Sequence, residues 1–193
     1  MNQKTRFIIY GVVAIFLAVT YFIKESDKVP VLPVIGTVPD FSFTDSHGET
    51  ITKANMTGKV WVADFIFTTC NMACPVMTGN MNIVHKAFRE NDDVRIVSIS
   101  VYPEYDTPEV LAEYASRYDA NTDRWHFLTG PEESVQDIIK DGFKIGDYED
   151  IIFHSEKFAL VDQQGQIRGY YNGMKTEEMT KLKQDMKTLI NEK

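Results

Sequence analysis

Residues 59–67 read KVWVADFIF, a nearly continuous apolar run of strand length that feeds directly into Thr68-Thr69-Cys70-Asn71-Met72-Ala73-Cys74-Pro75. A run with no polar face has to be covered on both sides, which calls for a central position in a sheet with elements packed above and below it. The loop at its end holds the only two cysteines among the 193 residues. Pro75 then marks the start of a helix, because proline is tolerated in the first helical turn and not further in. A disulfide between Cys70 and Cys74 would close a very short loop, and a cross-link stabilises least when its loop is short. Metal binding and thiol redox chemistry are therefore the stronger readings, and the spacing alone does not choose between them.

The flanking sequence alternates strand and helix patterns. Residues 41–44 (FSFT) alternate apolar and polar, 45–48 (DSHG) carry turn chemistry, and 49–52 can return as the second arm of an N-terminal hairpin. After Pro75, Val76, Met77, Met81, Val84 and Phe88 fit a helix, and 94–101 (VRIVSISV) form a second buried strand, which completes a strand-helix-strand unit. Thr107-Pro108-Glu109 is a helix start, with the hydroxyl as cap and proline at the first helical position. A short strand at 125–128, a helix at 131–140, a hairpin over 158–171 and a closing helix at 176–191 follow. The fold class is α/β, thioredoxin-like: a central mixed sheet flanked by helices, with the cysteines at the exit of the first crossover strand, where such sheets place their chemistry.

Residues 7–23 carry no charge and follow Lys4 and Arg6, so they are expected to form one transmembrane helix, with residues 1–6 cytoplasmic and the bulk of the chain outside. The run is longer than a signal-peptide core, and Tyr21-Phe22-Ile23 is no small-residue cleavage site. Pro30, Pro33 and Pro39 mark residues 24–37 as a linker to a domain over 38–193. The expected location is the cell membrane, single-pass with an extracytoplasmic domain, where a thiol pair needs a reductant or a metal to stay reduced. The net charge of −8 argues against a nucleic-acid partner, since no Lys/Arg cluster is present to neutralise phosphates.

Several side chains can join the cysteines. Helix N-terminal amides favour the thiolate, two thiolates suit a soft ion such as Cu(I), and a neutral imidazole can supply a third ligand. His154, in a polar loop before the last hairpin, is the strongest of the four histidines for that place, because in a thioredoxin pattern this loop passes close to the cysteine loop. His47 and His126 read as solvated or structural, and Met77, Met81 and His85 read as a core-facing stripe before they read as ligands. Asp64, six residues before Cys70, is a possible proton relay to the pair or an inert hydrogen-bonded aspartate.

The combination of Asp64 through Cys70 with Cys74-Pro75, Ser98-Ile99-Ser100-Val101, Asp106-Thr107-Pro108-Glu109, Trp125-His126-Phe127-Leu128-Thr129-Gly130 and His154 resembles the Sco (SenC/PrrC) family. These are membrane-anchored, copper-binding thioredoxin-fold proteins that help mature cytochrome c oxidase. The resemblance implies Cys70, Cys74 and His154 as copper ligands, a Cys70/Cys74 pair cycling between dithiol and disulfide, and a metallochaperone delivering copper to oxidase subunit II rather than a turnover enzyme. Thiol-disulfide oxidoreductase activity toward a copper-site partner is the alternative, and a peroxiredoxin-like peroxidase ranks behind it. Tyr102 departs from the family, which often has aspartate at that place.

Overall fold

The structure, a computed structural model, describes residues 2–3, 10–13, 15–17, 20, 31–145 and 156–192. The chain divides into two units, Met1–Val31 and Leu32–Lys193. In the first, described residues from 10 to 20 are helical, and no helix among the described residues is long and apolar enough to cross a membrane. The expected anchor at 7–23 falls partly outside the described residues.

The second unit is built on one eight-stranded sheet. Its strands are β1 (Gly36–Thr37), β2 (Ser42–Asp45), β3 (Thr50–Thr52), β4 (Val60–Ile66), β5 (Val94–Ser100), β6 (Trp125–Thr129), β7 (Lys157–Val161) and β8 (Gln166–Asn172), in the order β1-β8-β7-β4-β5-β6-β2-β3. The middle is parallel, β4 with β5 and β5 with β6, and every other pairing is antiparallel. β4 is buried along its whole length, as its nearly continuous apolar sequence demands. Helices α1 (Lys53–Met56), α2 (Ala73–Ala87), α3 (Pro108–Ser116), α4 (Glu132–Asp137) and α5 (Thr176–Asn191) cover it.

The pleat of β4 sorts its side chains between two cores. Val60, Val62 and Ile66 pack with Met77 and Met81 of α2, Leu111 of α3, and Leu182 and Met186 of α5. Trp61, Ala63 and Phe65 face the other way, onto Ile138, Ile139 and Phe143, with the Phe143 ring edge-on to both Trp61 and Phe65. The mixed sheet, the hairpin of β2 and β3, the crossover helix and the closing helix are as the sequence predicts. The helix expected over 131–140 is different: α4 ends at Asp137 and runs into a π-helical turn, Ile138–Gly142, closed by Phe143 N–H to the Ile138 carbonyl at 2.8 Å. The wider turn brings Ile138, Ile139 and Phe143 onto the same core, which a regular helix would have spread around its circumference.

The sheet also takes in residues expected to lie in the linker. β1 pairs Gly36 with Ile167, and the Leu32 carbonyl accepts from the Arg168 guanidinium at 2.6 and 3.1 Å. Arg168 stands in a β-bulge, where Leu160 pairs with Gly169 and Val161 with Ile167, so the extra residue turns its side chain along the sheet. It also donates to Asp162 at 2.8 Å and Glu192 at 3.0 Å, joining the N-terminal strap, the β7–β8 hairpin and the end of α5. Replacing Arg168 with Met should cost about 3–5 kcal/mol, because it leaves the buried Asp162 carboxylate without its countercharge. The check is a urea titration, in which the midpoint should fall with an unchanged slope.

Candidate metal centre

β4 ends at Ile66, and a short turn carries the chain to Cys70, whose N–H bonds back to the Phe67 carbonyl at 3.1 Å. Met72 is the N-cap of α2 but offers no side-chain cap; the Cys70 sulfur accepts the N–H of Cys74 at 3.4 Å instead. The spacing of four thus places Cys70 directly beneath the first helical turn. Cys70 is half-buried, and Cys74 is only 4% exposed within the core formed by α2, α3 and α5. Both are free thiols, and their environments push them apart. Burial works against a Cys70 thiolate, but the N–H groups of Cys74, Met72 and Ala73 more than offset it and hold the thiol below its ordinary value. Burial pushes the Cys74 thiol up to about 12, with Cys70 and Asp64 adding to the rise.

A second loop, leaving β5, is fastened beside the first. Asp106 is wholly buried and accepts the Thr68 hydroxyl at 2.5 Å, the Thr68 N–H at 3.2 and 3.3 Å, and the Ser100 hydroxyl at 2.6 Å. Ser100 accepts the Tyr102 N–H in turn at 3.0 Å. Tyr102 and Tyr105, half-exposed, stack with ring planes 5° apart. Asp106 fixes the cysteine loop, and its role does not show in the sequence: in Asp-Thr-Pro-Glu the evident signal is the Thr107 cap, present here as a Val110 N–H to Thr107 Oγ1 bond. The signal that was there is an aspartate just before a helix whose cap is already filled.

Asp64 lies on β4, wholly buried, with Oδ1 accepting the Ser98 hydroxyl at 2.5 Å while that hydroxyl receives the Trp125 indole N–H at 2.8 Å. Oδ2 has no partner. Burial pushes the carboxyl from an ordinary 3.8 up to about 7, against the lowering effect of the Ser98 bond. Of the histidines, His47 bonds Thr122 at 2.8 Å, His126 lies 3.9 Å from Asp45, and His85 is buried against Trp125 and accepts the Asn121 N–H at 3.3 Å. Met77 and Met81 are core. His154 lies outside the described residues. Among the described residues no three His, Cys, Asp or Glu side chains cluster as a metal site. The donor set present is two sulfurs one helical turn apart, one on a cluster of amides and one in an apolar pocket, which fits a soft monovalent ion better than a hard one.

Two outcomes follow. With excess iodoacetamide near neutral pH, Cys70 should alkylate well before Cys74, as peptide mapping of partially labelled protein will show; equal rates would contradict the asymmetry. The second concerns Asp64. A carboxyl whose folded pKa lies above its unfolded value loses its stabilising contribution as pH rises between the two, so this contribution should be full below about 4 and gone above about 7. Urea midpoints of the parent and the Asp64→Asn variant should diverge across that window in favour of the variant at high pH. Parallel curves would mean that Asp64 is not protonated in the native state.

The comparisons with known proteins bear on the same region. The SCO1/SenC family model matches residues 34–191. The SCO1 protein homolog of Bacillus subtilis (strain 168) is 36% identical over 157 residues, covering 78% of this chain and 81% of its own. BsSco, described as a member of the Sco family of cytochrome c oxidase assembly proteins with a disulfide switch, superposes with a TM-score of 0.76 at 33% identity, over 84% of this chain and 99% of that one. Bradyrhizobium japonicum ScoI, solved with copper bound, superposes with a TM-score of 0.65 at 25% identity, over 79% of this chain and 99% of that one. The match takes in the central sheet, the cysteine loop and the closing helix together, and on that ground the chain belongs to the SCO1/SenC family.

Proposed function

We propose that this chain is a copper metallochaperone that binds the ion through Cys70, Cys74 and His154 and delivers it to the binuclear copper site of cytochrome c oxidase subunit II. The observation that carries this reading is the placement of Cys70 and Cys74 one turn apart at the start of α2, with the Cys70 sulfur on the helix amides. Copper in a Sco structure and oxidase assembly in the description of another support it. Copper is cargo here, so the work of the chain is to hold, orient and release it. Asp106 holds Thr68 and with it the approach to Cys70. The apolar wall around Cys74 excludes water from one side of the ion. In this reading His154, outside the described residues, is the third ligand, and the anchor at 7–23 keeps the domain at the outer face of the membrane, within reach of an integral membrane acceptor.

The asymmetry of the thiols favours one second reading, reduction of a disulfide in a copper-site partner. Cys70 is the accessible, readily ionised thiol and the natural attacking group; Cys74, buried beside it, resolves the mixed disulfide. Two electrons pass from the pair to the partner, whose disulfide becomes two thiols as Cys70 and Cys74 join. Asp64, whose carboxyl is pushed up to about 7, has an ionised form near neutral pH that can accept the proton of the resolving Cys74 thiol and later give it up to solvent.

Anaerobic titration with Cu(I) and Cu(II) separates these readings. The reduced protein should give a one-to-one endpoint, Cys70→Ser with Cys74→Ser should abolish tight binding, and His154→Ala should weaken it or change the Cu(II) spectrum. Retention of parent affinity by the double serine variant would rule out the copper site, and a trapped mixed disulfide on the Cys74→Ser variant would favour the exchange reading.

A further inference from the structure

Met72, the middle residue between the two cysteines, has no packing role. It is 77% exposed, whereas Met77 and Met81 on the next turns of α2 are buried, as are Met56, Met179 and Met186, and Met174 is partly covered. Among the described methionines it alone stands mostly in water. A thioether normally fills gaps in a core, and an exposed one is an unbranched side chain with three rotatable bonds ending in a soft, uncharged donor. Its backbone is not yet helical, and its N–H, with those of Ala73 and Cys74, faces the Cys70 sulfur. The thioether is therefore tethered beside Cys70 yet free to swing. Val76, one helical turn on, is also exposed, and the loop that bears the stacked Tyr102–Tyr105 pair is fastened through Asp106 to Thr68, at the start of the same cysteine loop. Cys74 is buried in the core. The loop thus carries one buried sulfur, one half-buried sulfur and, between them in sequence, the exposed thioether of Met72.

The geometry points to Met72 as a transfer ligand for Cu(I): its thioether holds the ion at the rim of the site while a thiolate bond is being made or broken, so that copper passes to a thiol- or thioether-bearing acceptor without entering water. This rests on the reading of Cys70 and Cys74 as Cu(I) ligands. In the exchange one copper–sulfur bond to a cysteine breaks as one to the Met72 sulfur forms; copper stays Cu(I), no electron moves, and the freed thiolate takes a proton from solvent. A neutral donor suits an intermediate station, because it binds Cu(I) more weakly than a thiolate does and so does not trap it.

The test uses the full chain in detergent, reduced and anaerobic, in parent and Met72→Leu forms; leucine keeps the bulk and apolar character and removes only the sulfur. Cu(I) affinity is set by competition, and transfer is followed optically with bathocuproine disulfonate as the acceptor. Affinity should change by no more than about threefold while the transfer rate falls by about tenfold or more, since an exchange ligand acts on the rate and not on the end states. In protein carrying ε-13C-methionine, Cu(I) should shift one methyl resonance, the one missing from the Leu variant. A parent that binds Cu(I) with that resonance unmoved, together with a Leu variant that transfers at the parent rate, would overturn the role of Met72 and leave the copper site standing. A parent that takes up no Cu(I) would overturn both.

Discussion

Much of the site depends on one buried carboxylate. The two oxygens of Asp106 accept the Thr68 hydroxyl and amide and the Ser100 hydroxyl. Hydrogen bonds to an ionised acceptor are stronger than neutral ones, and a buried carboxylate without them would be costly. The three groups come from the ends of two neighbouring parallel strands, β4 and β5, so the carboxylate acts as a clasp across the place where the sheet releases both chains. A parallel pair cannot be joined by a tight turn, and its two exits are otherwise free to diverge. With the clasp closed, the cysteine loop and the tyrosine loop become one surface.

Burial divides the two aspartates of this region differently. Asp64 has one hydrogen bond and an orphaned oxygen, so burial dominates and the carboxyl retains its proton to about neutral pH. Asp106 is equally inaccessible but has both oxygens engaged. Depth is the same in both; the number of donors differs. One is suited to fastening a loop, the other to carrying a proton.

The same contrast explains what could be read in the sequence. The KVWVADFIF run, the alternation of FSFT, the Thr107-Pro108 cap and the spacing of apolar residues after Pro75 are local signals, and the corresponding β4, β2, α3 and α2 fall where those signals place them. Asp64 also stood out, by its place six residues before Cys70. Asp106 did not, because it sits among turn residues where aspartate is ordinary, and its partners Thr68 and Ser100 are 38 and 6 residues away. The π-helical turn and the bulge at Arg168 escaped for a related reason: each adds one residue to a regular element so that distant side chains meet, and nothing within a few residues requires it. The entry of Leu32 into the fold rests on that bulged arginine, 136 residues later.

The three-residue spacing between the cysteines acquires its meaning from the helix start. A typical N-cap is a hydroxyl or carboxylate that accepts an amide of the first turn. In α2 the cap residue is Met72, which has no such group, and the sulfur of Cys70, two residues earlier, accepts the Cys74 N–H in its place. A thiol is a weak acceptor, and a thiolate is a far better one because it is charged. A sulfur locked in a disulfide has neither the charge nor the freedom to keep this position. The first turn of α2 is therefore best satisfied when Cys70 carries negative charge. The separation of four sets the sulfur one turn below its amide and leaves its outer side open. Helix start, thiolate and access to a ligand are then the same geometric fact.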